Sequence, residues 1–417
     1  MSRSIASGST GERIVVVDAV RGFALLGIVV AHMVEQYLGS PPPPSIPNFG
    51  VFSAVDQIAL AVDQLLVVGK FFTIFSLLFG LSFFIQMDRG ARRGTSFAGR
   101  FAWRLAVLFV IGILHHLFYR GDILTIYALL GVLLIPFYRA SDRTLLVVAF
   151  VLLFGVPRLL LAAADPVFGV QVPMLSLEDP RIEEYFTAIK SGWLPNLFWV
   201  NLRDGFWLKL EFLFTWFGRG YQTIGLFLLG LYIGRHGWHE RVEEVRRPLK
   251  CLTFGGLGAA VLAVAVLGAL VVVVGPPQSP SEIKPWHLLV GLTLLDVVNV
   301  GLSAFLMGSF VLLYRSTWFH GALRRLAPVG QTALTTYVCQ TLIGTFILYG
   351  YGLNLIGEIG AATAMLLAVV VFLIQAFAAT MWLRHFQYGP LEWVWRSATF
   401  ARLAPFRKVP APAPATV

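Results

Sequence analysis

Long apolar runs separated by short polar breaks dominate the chain. They cover residues 16–38, 69–87, 101–119, 121–138, 144–163, 219–235, 251–274, 286–314, 328–350 and 360–383. About twenty helical residues cross the hydrocarbon core of a bilayer, so the pattern predicts an all-α, polytopic membrane protein with about ten transmembrane helices. A Pro-rich turn, PPPPSIP, follows the first run, and then a segment 51–68 carries Asp56 and Asp63, with Lys70 beyond. Their spacing of two helical turns puts all three on one face, predicting an amphipathic helix that leads into the second span. The stretch 164–205 is acidic and mixed, and is expected as an external connection. Within and beyond it, Asn196–Trp216 is aromatic-rich, and reads as an interfacial or re-entrant helix or as an eleventh span. The expected organisation is a cytoplasmic tail at 1–13, one transmembrane helical domain at 14–400, and a disordered cytoplasmic tail at 401–417.

Charge sets the orientation. The N-terminus, 88–104, 139–143, 235–250, 315–325 and the C-terminal tail together hold 22 Lys and Arg, whereas the alternate connections hold 5. The positive-inside bias then places both termini in the cytoplasm. Composition agrees: of 417 residues 57% are hydrophobic and 13% charged, with a mean hydropathy of +0.76. A soluble enzyme of this length could not cover its surface with so few charges. The net charge of +10 is spread over loops beside apolar spans, which fits an anionic leaflet and not nucleic acid. Cys251 and Cys339 form neither a disulfide framework nor a metal spacing. The first residues lack the order of a cleavable signal peptide.

Ionisable groups inside apolar spans are costly, so they form the functional shortlist. Asp18 and Arg21 stand one turn apart in the first span, His32 lies deeper, and Glu35 follows one turn later. A carboxylate beside a histidine can fix its tautomer and make it a better base; a satisfied interhelical histidine is the plainer alternative. His115, His116, Arg120 and Asp122 crowd one turn between the third and fourth spans. Adjacent histidines on a helix face different ways, so metal binding is a weak reading there, and helix capping by Asp122 is a simpler one. Arg100 and Arg104 share a face at the start of the third span, suiting either a polyphosphate or anionic lipid. Asp296, Asn299, Gln331, Thr335, Tyr337 and Gln340 could line a cavity or bind helices together. No P-loop, dinucleotide fingerprint or nucleophile elbow is present.

Five segments, in order from end to end, resemble the YeiB-like family of bacterial inner-membrane proteins. They are ERIVVVDAVRGFALLGIVV near the start, KFFTIFSLLFGLSF at 70–83, RLAVLFVIGILHHLFYRGDILTIYALLG, GQTALTTYVCQTLI at 330–343 and FQYGPLEWVWRSATF at 386–400. The region 164–215 carries no such wording. That family is grouped by similarity with the transmembrane acyltransferases, among them bacterial O-acetyltransferases of surface polysaccharides and the lysosomal heparan-glucosaminide N-acetyltransferase. Such enzymes take an acyl group from cytosolic acyl-CoA and pass it to an acceptor on the opposite face. The O-acetyltransferases carry an Arg, ten residues and a catalytic His in their first span; Arg21, GFALLGIVVA and His32 repeat that spacing. YeiB-like proteins usually have Asn at that place, so the chain departs from them toward the acyltransferases.

The resemblance implies a membrane-embedded acyltransferase of a bacterial inner membrane. Acyl-CoA would be its co-substrate, and the acceptor a lipid-linked, sugar or small-molecule hydroxyl or amine. His32 would be the general base, oriented by Glu35, with Arg21 and Asp18 beside it. An arginine pair before a later span of the O-acetyltransferases meets the CoA phosphates; Arg100 and Arg104 correspond loosely, with Arg89, Arg92 and Arg93 as competitors in the same loop. No metal is expected. The alternatives are a small-solute or proton-coupled transporter and a non-catalytic scaffold. GDIL and YGPLEW have no derivable chemical role, and oligomeric state is not legible.

Overall fold

Backbone polar groups in an apolar medium must be satisfied within their own segment, which makes helices the natural state of these runs. The structure, a computed structural model, describes residues 15–46, 48–92, 94, 98–161, 179–215, 217–241, 245–275 and 285–408. The expected tail 1–13, Arg93, the first part of the 164–205 connection and the end of the C-terminal tail lie outside those residues. Among the described residues there is no β-strand, only an isolated bridge between Phe386 and Arg407.

We number the principal helices α1 (Val15–Val34), α2 (Ala54–Leu66), α3 (Lys70–Arg92), α4 (Ala98–His116), α5 (Leu124–Val132), α6 (Asp142–Leu153), α7 (Pro180–Ser191), α8 (Leu194–Val200), α9 (Phe206–Phe214), α10 (Arg219–Arg235), α11 (Arg246–Val274), α12 (Pro285–Tyr314), α13 (Ala333–Leu348), α14 (Ala361–His385) and α15 (Pro390–Phe400). Among the described residues six helical runs are long and apolar enough to cross a membrane: α1, the run Ala54–Arg92 that joins α2 to α3, α4, α11, α12 and α14. The chain is thus a multi-pass membrane protein. The other four expected spans are shorter or broken. Residues 121–138 form α5 and a one-turn helix, Leu134–Phe137, that contains Pro136. The twelve-residue α6 ends before Gly155, whose φ is +70°. α10 has 17 residues. The run 328–350 breaks at Thr332 (φ −108°, ψ 34°), between the turn Ala327–Gln331 and the 16-residue α13.

α2 has the expected face. Asp56, Ala59 and Asp63 are its buried residues, while Val55, Ile58 and Leu65 point outward. Lys70 is buried too, its Nζ donating to the Gln64 carbonyl at 2.7 Å. Ser53 caps α2 by accepting from the Asp56 amide (3.2 Å), and the buried Asp56 carboxylate accepts from Ser53 Oγ (2.8 Å) and from the Ala362 amide (3.0 Å), which secures the start of α14.

α1 is the centre of the bundle: Ala19, Ala24, Leu25, Val29 and Met33 have no exposed surface. The turn Ala327–Gln331 reaches it through glycine. A Cβ on Gly330 would stand 1.8 Å from the Asp18 carbonyl oxygen. Such contact between backbones is how small residues bring membrane helices together.

The connection 164–205 is helical where it is described. α8, a π-helical turn Asn201–Gly205 and α9 make one continuous run, Leu194 to Phe214. Asn201 accepts His116 through its carbonyl (2.9 Å), and Lys209 donates to the same imidazole (3.1 Å). Residues eight apart are about 12 Å apart along a helix axis, so meeting one side chain requires this helix to lie across the end of α4. Trp216, the end of the aromatic-rich stretch, lies outside the described residues.

Two predictions follow from the packing. Gly330→Ala should lower the melting temperature in detergent by the equivalent of about 1–3 kcal/mol. Gly258→Ala, at a position in α11 with nothing within 4 Å of the added Cβ, should be neutral or stabilising. Asp179 caps α7 and is gripped by Arg181 (2.6 and 3.0 Å), which holds its carboxyl below the usual range. A depressed folded pKa contributes stability above the unfolded value of ~4 and loses it as pH falls through the folded one. Amide protection across α7 should therefore fall on acidification, and Asp179→Asn should remove that pH dependence.

Candidate functional site

A cavity of about 560 Å³ opens between α1, α3, α4, α13 and α15. At the end where α1 and α4 begin, it is lined by Arg21, Arg89, Arg104 and Arg396, with Asp18 and Glu392 among them. Its other end is walled by Leu108, Tyr127 and Tyr337.

Both carboxylates already have partners. Asp18 meets Arg21 at 2.7 Å, and Arg21 also donates to Ser82 Oγ at 2.6 Å. Glu392 accepts from the Leu334 amide (2.6 Å), the Thr335 amide (3.1 Å) and the Thr335 hydroxyl (2.6 Å). It thereby caps α13, whose amides are freed by the break at Thr332. This gives the YGPLEW segment a role: its glutamate seals a helix end in the middle of the bundle. The following Trp395 donates from Nε1 to the Arg104 carbonyl (2.8 Å), while the Arg104 guanidinium stacks 3.5 Å over the indole. With four guanidinium groups to two engaged carboxylates, the cavity end carries net positive charge and suits carboxylate or phosphate groups.

The expected arginine set is only partly brought together. Arg104 lines the cavity; Arg100, one turn earlier, stays outside it against Phe400 at 5.2 Å. Arg92 is exposed and pairs with Asp88 at 2.6 Å. Arg93 lies outside the described residues. Arg89, a competitor in that loop, does line the cavity, as does Arg396, which sequence reasoning passed over although it closes the YGPLEWVWR segment. A rise of 6 Å per four residues separates the positions of Arg100 and Arg104, so one face of α4 spans both the cavity and the solvent beyond it.

Beyond Tyr337 lies a layer of imidazole and phenol. The His32 ring makes edge contacts with Tyr37 (5.3 Å), Tyr119 (5.1 Å) and Tyr337 (6.1 Å). His32 is not itself among the cavity-lining residues. Glu35 does not orient it, because its carboxylate accepts from the Tyr119 hydroxyl instead. The Glu35 amide still bonds the Ala31 carbonyl (2.9 Å), so the helical spacing from His32 is kept and it is the Tyr119 hydroxyl that takes the carboxylate; the left-handed Gln36 (φ 52°) and Tyr37 (φ 54°) follow and end the helix.

The GDIL turn builds the rest. Asp122 accepts from the Leu124 and Thr125 amides (3.0 and 2.9 Å) and from the Thr125 hydroxyl (2.6 Å), capping α5 as expected. It also holds His115 Nδ1 at 2.8 Å, and Lys209 approaches it at 3.6 Å. His116 points away, to Asn201 and Lys209, and no group of metal-ligating side chains occurs among the described residues. Arg120 stacks on Tyr185 at 3.6 Å, with Nε donating to the Leu38 carbonyl at 3.0 Å. Lys209 was not foreseen, since a lone lysine in an aromatic stretch gives no sign of a partner more than eighty residues away. Elsewhere Asp296 binds Arg158 at 2.7 Å, which places it in helix packing away from the cavity.

Comparison with known proteins finds relatives over nearly the whole chain. A family model described as a protein of unknown function (DUF418) matches residues 233–402. The chain is 30% identical over 415 residues to the "Uncharacterized protein YxaH" of Bacillus subtilis (strain 168), covering 96% of this chain and 97% of that one. It is 27% identical over 408 residues to the "Uncharacterized protein YeiB" of Escherichia coli (strain K12), covering 94% and 98%. The "Uncharacterized 39.9 kDa protein in amylase 3'region" of Bacillus acidopullulyticus is also 27% identical over 408 residues.

Glu392→Ala should lower thermal stability by about 0.5–2 kcal/mol, the usual cost of losing a helix cap. Glu392→Gln, which keeps an acceptor oxygen, should recover part of it. Equal melting of the alanine variant and the wild type would show that α13 does not depend on this cap.

Proposed function

We propose a function for a chain that belongs to the DUF418 family of YeiB-like membrane proteins: it is a membrane-embedded acyltransferase that moves an acyl group from acyl-CoA to a hydroxyl or amine. The observation that carries the reading is the cavity whose mouth holds Arg21, Arg89, Arg104 and Arg396 and whose far wall is Tyr337, one ring away from His32 and His115. Guanidinium groups in such an array bind phosphates by charge-assisted hydrogen bonds. A pantetheine arm is narrow, and the short alkyl stretches between its amides suit the far part of the cavity between Leu108 and Tyr127. A thioester is already activated, so the protein needs to supply proximity, a base and stabilisation of the oxyanion. The base belongs to the histidine layer behind Tyr337, which holds His32 and His115. Lipid-linked, sugar and small-molecule acceptors all present the required nucleophile.

The same reading sets the topology. The arginine-lined end of the cavity faces the cytoplasm, where acyl-CoA is made. Ten membrane crossings, several of them by the shorter helices, leave both termini on that side of a bacterial inner membrane. Cysteines introduced at Ser316 and Leu353 should then label from the cytoplasmic and the outer face respectively; the reverse pattern would turn the protein over.

The functional test uses purified protein in nanodiscs, with release of free thiol from acyl-CoA as the signal. Replacing Arg104 and Arg396 together with Gln should raise the acyl-CoA requirement at least tenfold, since each charge-assisted contact is worth about 1.5–3 kcal/mol. Replacing Arg92 and Arg100 should have little effect. Wild-type protein that neither binds acyl-CoA nor releases thiol would sink the acyltransferase reading.

A further inference from the structure

We propose that the acid–base group of this centre is His115, positioned by Asp122, and not His32. The assignment of its reaction rests on the acyl-CoA reading; the assignment of a free, reactive Nε2 does not.

The Asp122 carboxylate is fully buried and held from three directions: by two backbone amides and a hydroxyl at the start of α5, by Lys209, and by His115. Amide donors and a nearby ammonium group favour the ionised carboxylate, which can only accept hydrogen bonds. His115 Nδ1, at 2.8 Å, must therefore carry the proton. That leaves Nε2 with a lone pair, as a general base requires. Nε2 is buried and has no hydrogen-bond partner.

His116 supplies the contrast within the same turn. It too is buried, yet both its nitrogens are used, Nε2 on the Asn201 carbonyl and Nδ1 on Lys209. A histidine kept for packing is satisfied in this way; His115 is satisfied on one side only. His32 is also unpartnered at Nδ1, but no carboxylate sets its tautomer, because Glu35 is taken by Tyr119.

Tyr337 stands between the His115 ring and the cavity. Its ring lies 5.0 Å from that of His115 and also lines the cavity. Its hydroxyl is held by a long contact of 3.4 Å from the Ile123 amide. The ring is buried and packed, but this weak bond is a polar tether of its hydroxyl, so turning the ring aside is the opening motion the reaction requires. When it turns, the thioester and the imidazole share one space. The acceptor hydroxyl or amine then gives its proton to His115 Nε2 as its oxygen or nitrogen bonds to the thioester carbonyl carbon. The tetrahedral adduct collapses, the C–S bond breaks, and Nε2 returns the proton to the sulfur of the departing CoA.

His115→Asn is the direct test, because the Asn amide can still donate to Asp122 while Nε2 is lost. Acyl transfer should fall at least a hundredfold, with acyl-CoA binding and melting temperature unchanged, and His32→Asn should stay within a few-fold of wild type. Asp122→Asn should retain binding but displace the pH profile of transfer, which a purely structural acid would not do. Transfer surviving in His115→Asn, or lost instead in His32→Asn, would overturn the assignment while leaving the acyl-CoA reading in place. A second readout needs no CoA: diethyl pyrocarbonate, mapped by mass spectrometry, should modify His115, spare His116, and act faster on Tyr337→Ala. A spared His115 in Tyr337→Ala rejects the free Nε2 outright. Modified His115 in a protein that never binds acyl-CoA would uphold the reactive nitrogen and reject the donor.

Discussion

A carboxylate with no solvent contact organises the site. Asp122 joins the last turn of α4 to the first turn of α5 and draws Lys209 in from the helix that crosses their ends. In a surrounding with little water a charge must be compensated on every side, or folding fails by several kcal/mol. Meeting that demand fixes much else: the ring orientation of His115, the inward course of Lys209, and the docking of Asn201 on the end of α4. The polar layer behind Tyr337 is in this sense an extension of one capping interaction.

The other end of the cavity depends on a second helix end placed inside the bundle. The break at Thr332 exposes amides where water is scarce, and Glu392 satisfies them from the chain's last helix. That contact seats α15 beneath the bundle and carries Trp395 to Arg104 and Arg396 to the cavity mouth. Breaking a membrane helix is costly unless the freed groups are met. Here the break admits Gly330 against the backbone of α1 on one side and leaves room for the cavity on the other.

Positive charge lines one end of the cavity, and the imidazoles stand behind Tyr337 at the other. Arg21 belongs to the arginine-lined end through Ser82 and Asp18, while His32, three turns along the same helix, belongs to the tyrosine layer. Of the two residues in the Arg-to-His spacing of the first span, one therefore lines the cavity and the other packs behind its wall.

The sequence by itself determined the membrane class, the positions of the long helices and the buried face of α2. Those properties depend on local periodicity: Asp56, Ala59 and Asp63 share a face because of helical spacing alone. Capping of α5 by Asp122 was legible for the same reason, being a contact within four residues. What spacing could not decide was any geometry in which a helix stops or a distant element returns. Glu35 misses His32 because its carboxylate is taken by the hydroxyl of Tyr119, more than eighty residues away. Arg396 enters the cavity, and Arg100 does not, because Glu392 seats α15 where it does. Lys209 finds Asp122 across more than eighty residues. Each of these outcomes follows from satisfying buried charges and freed backbone groups in three dimensions, and only the tertiary structure shows which partners were near enough to do so.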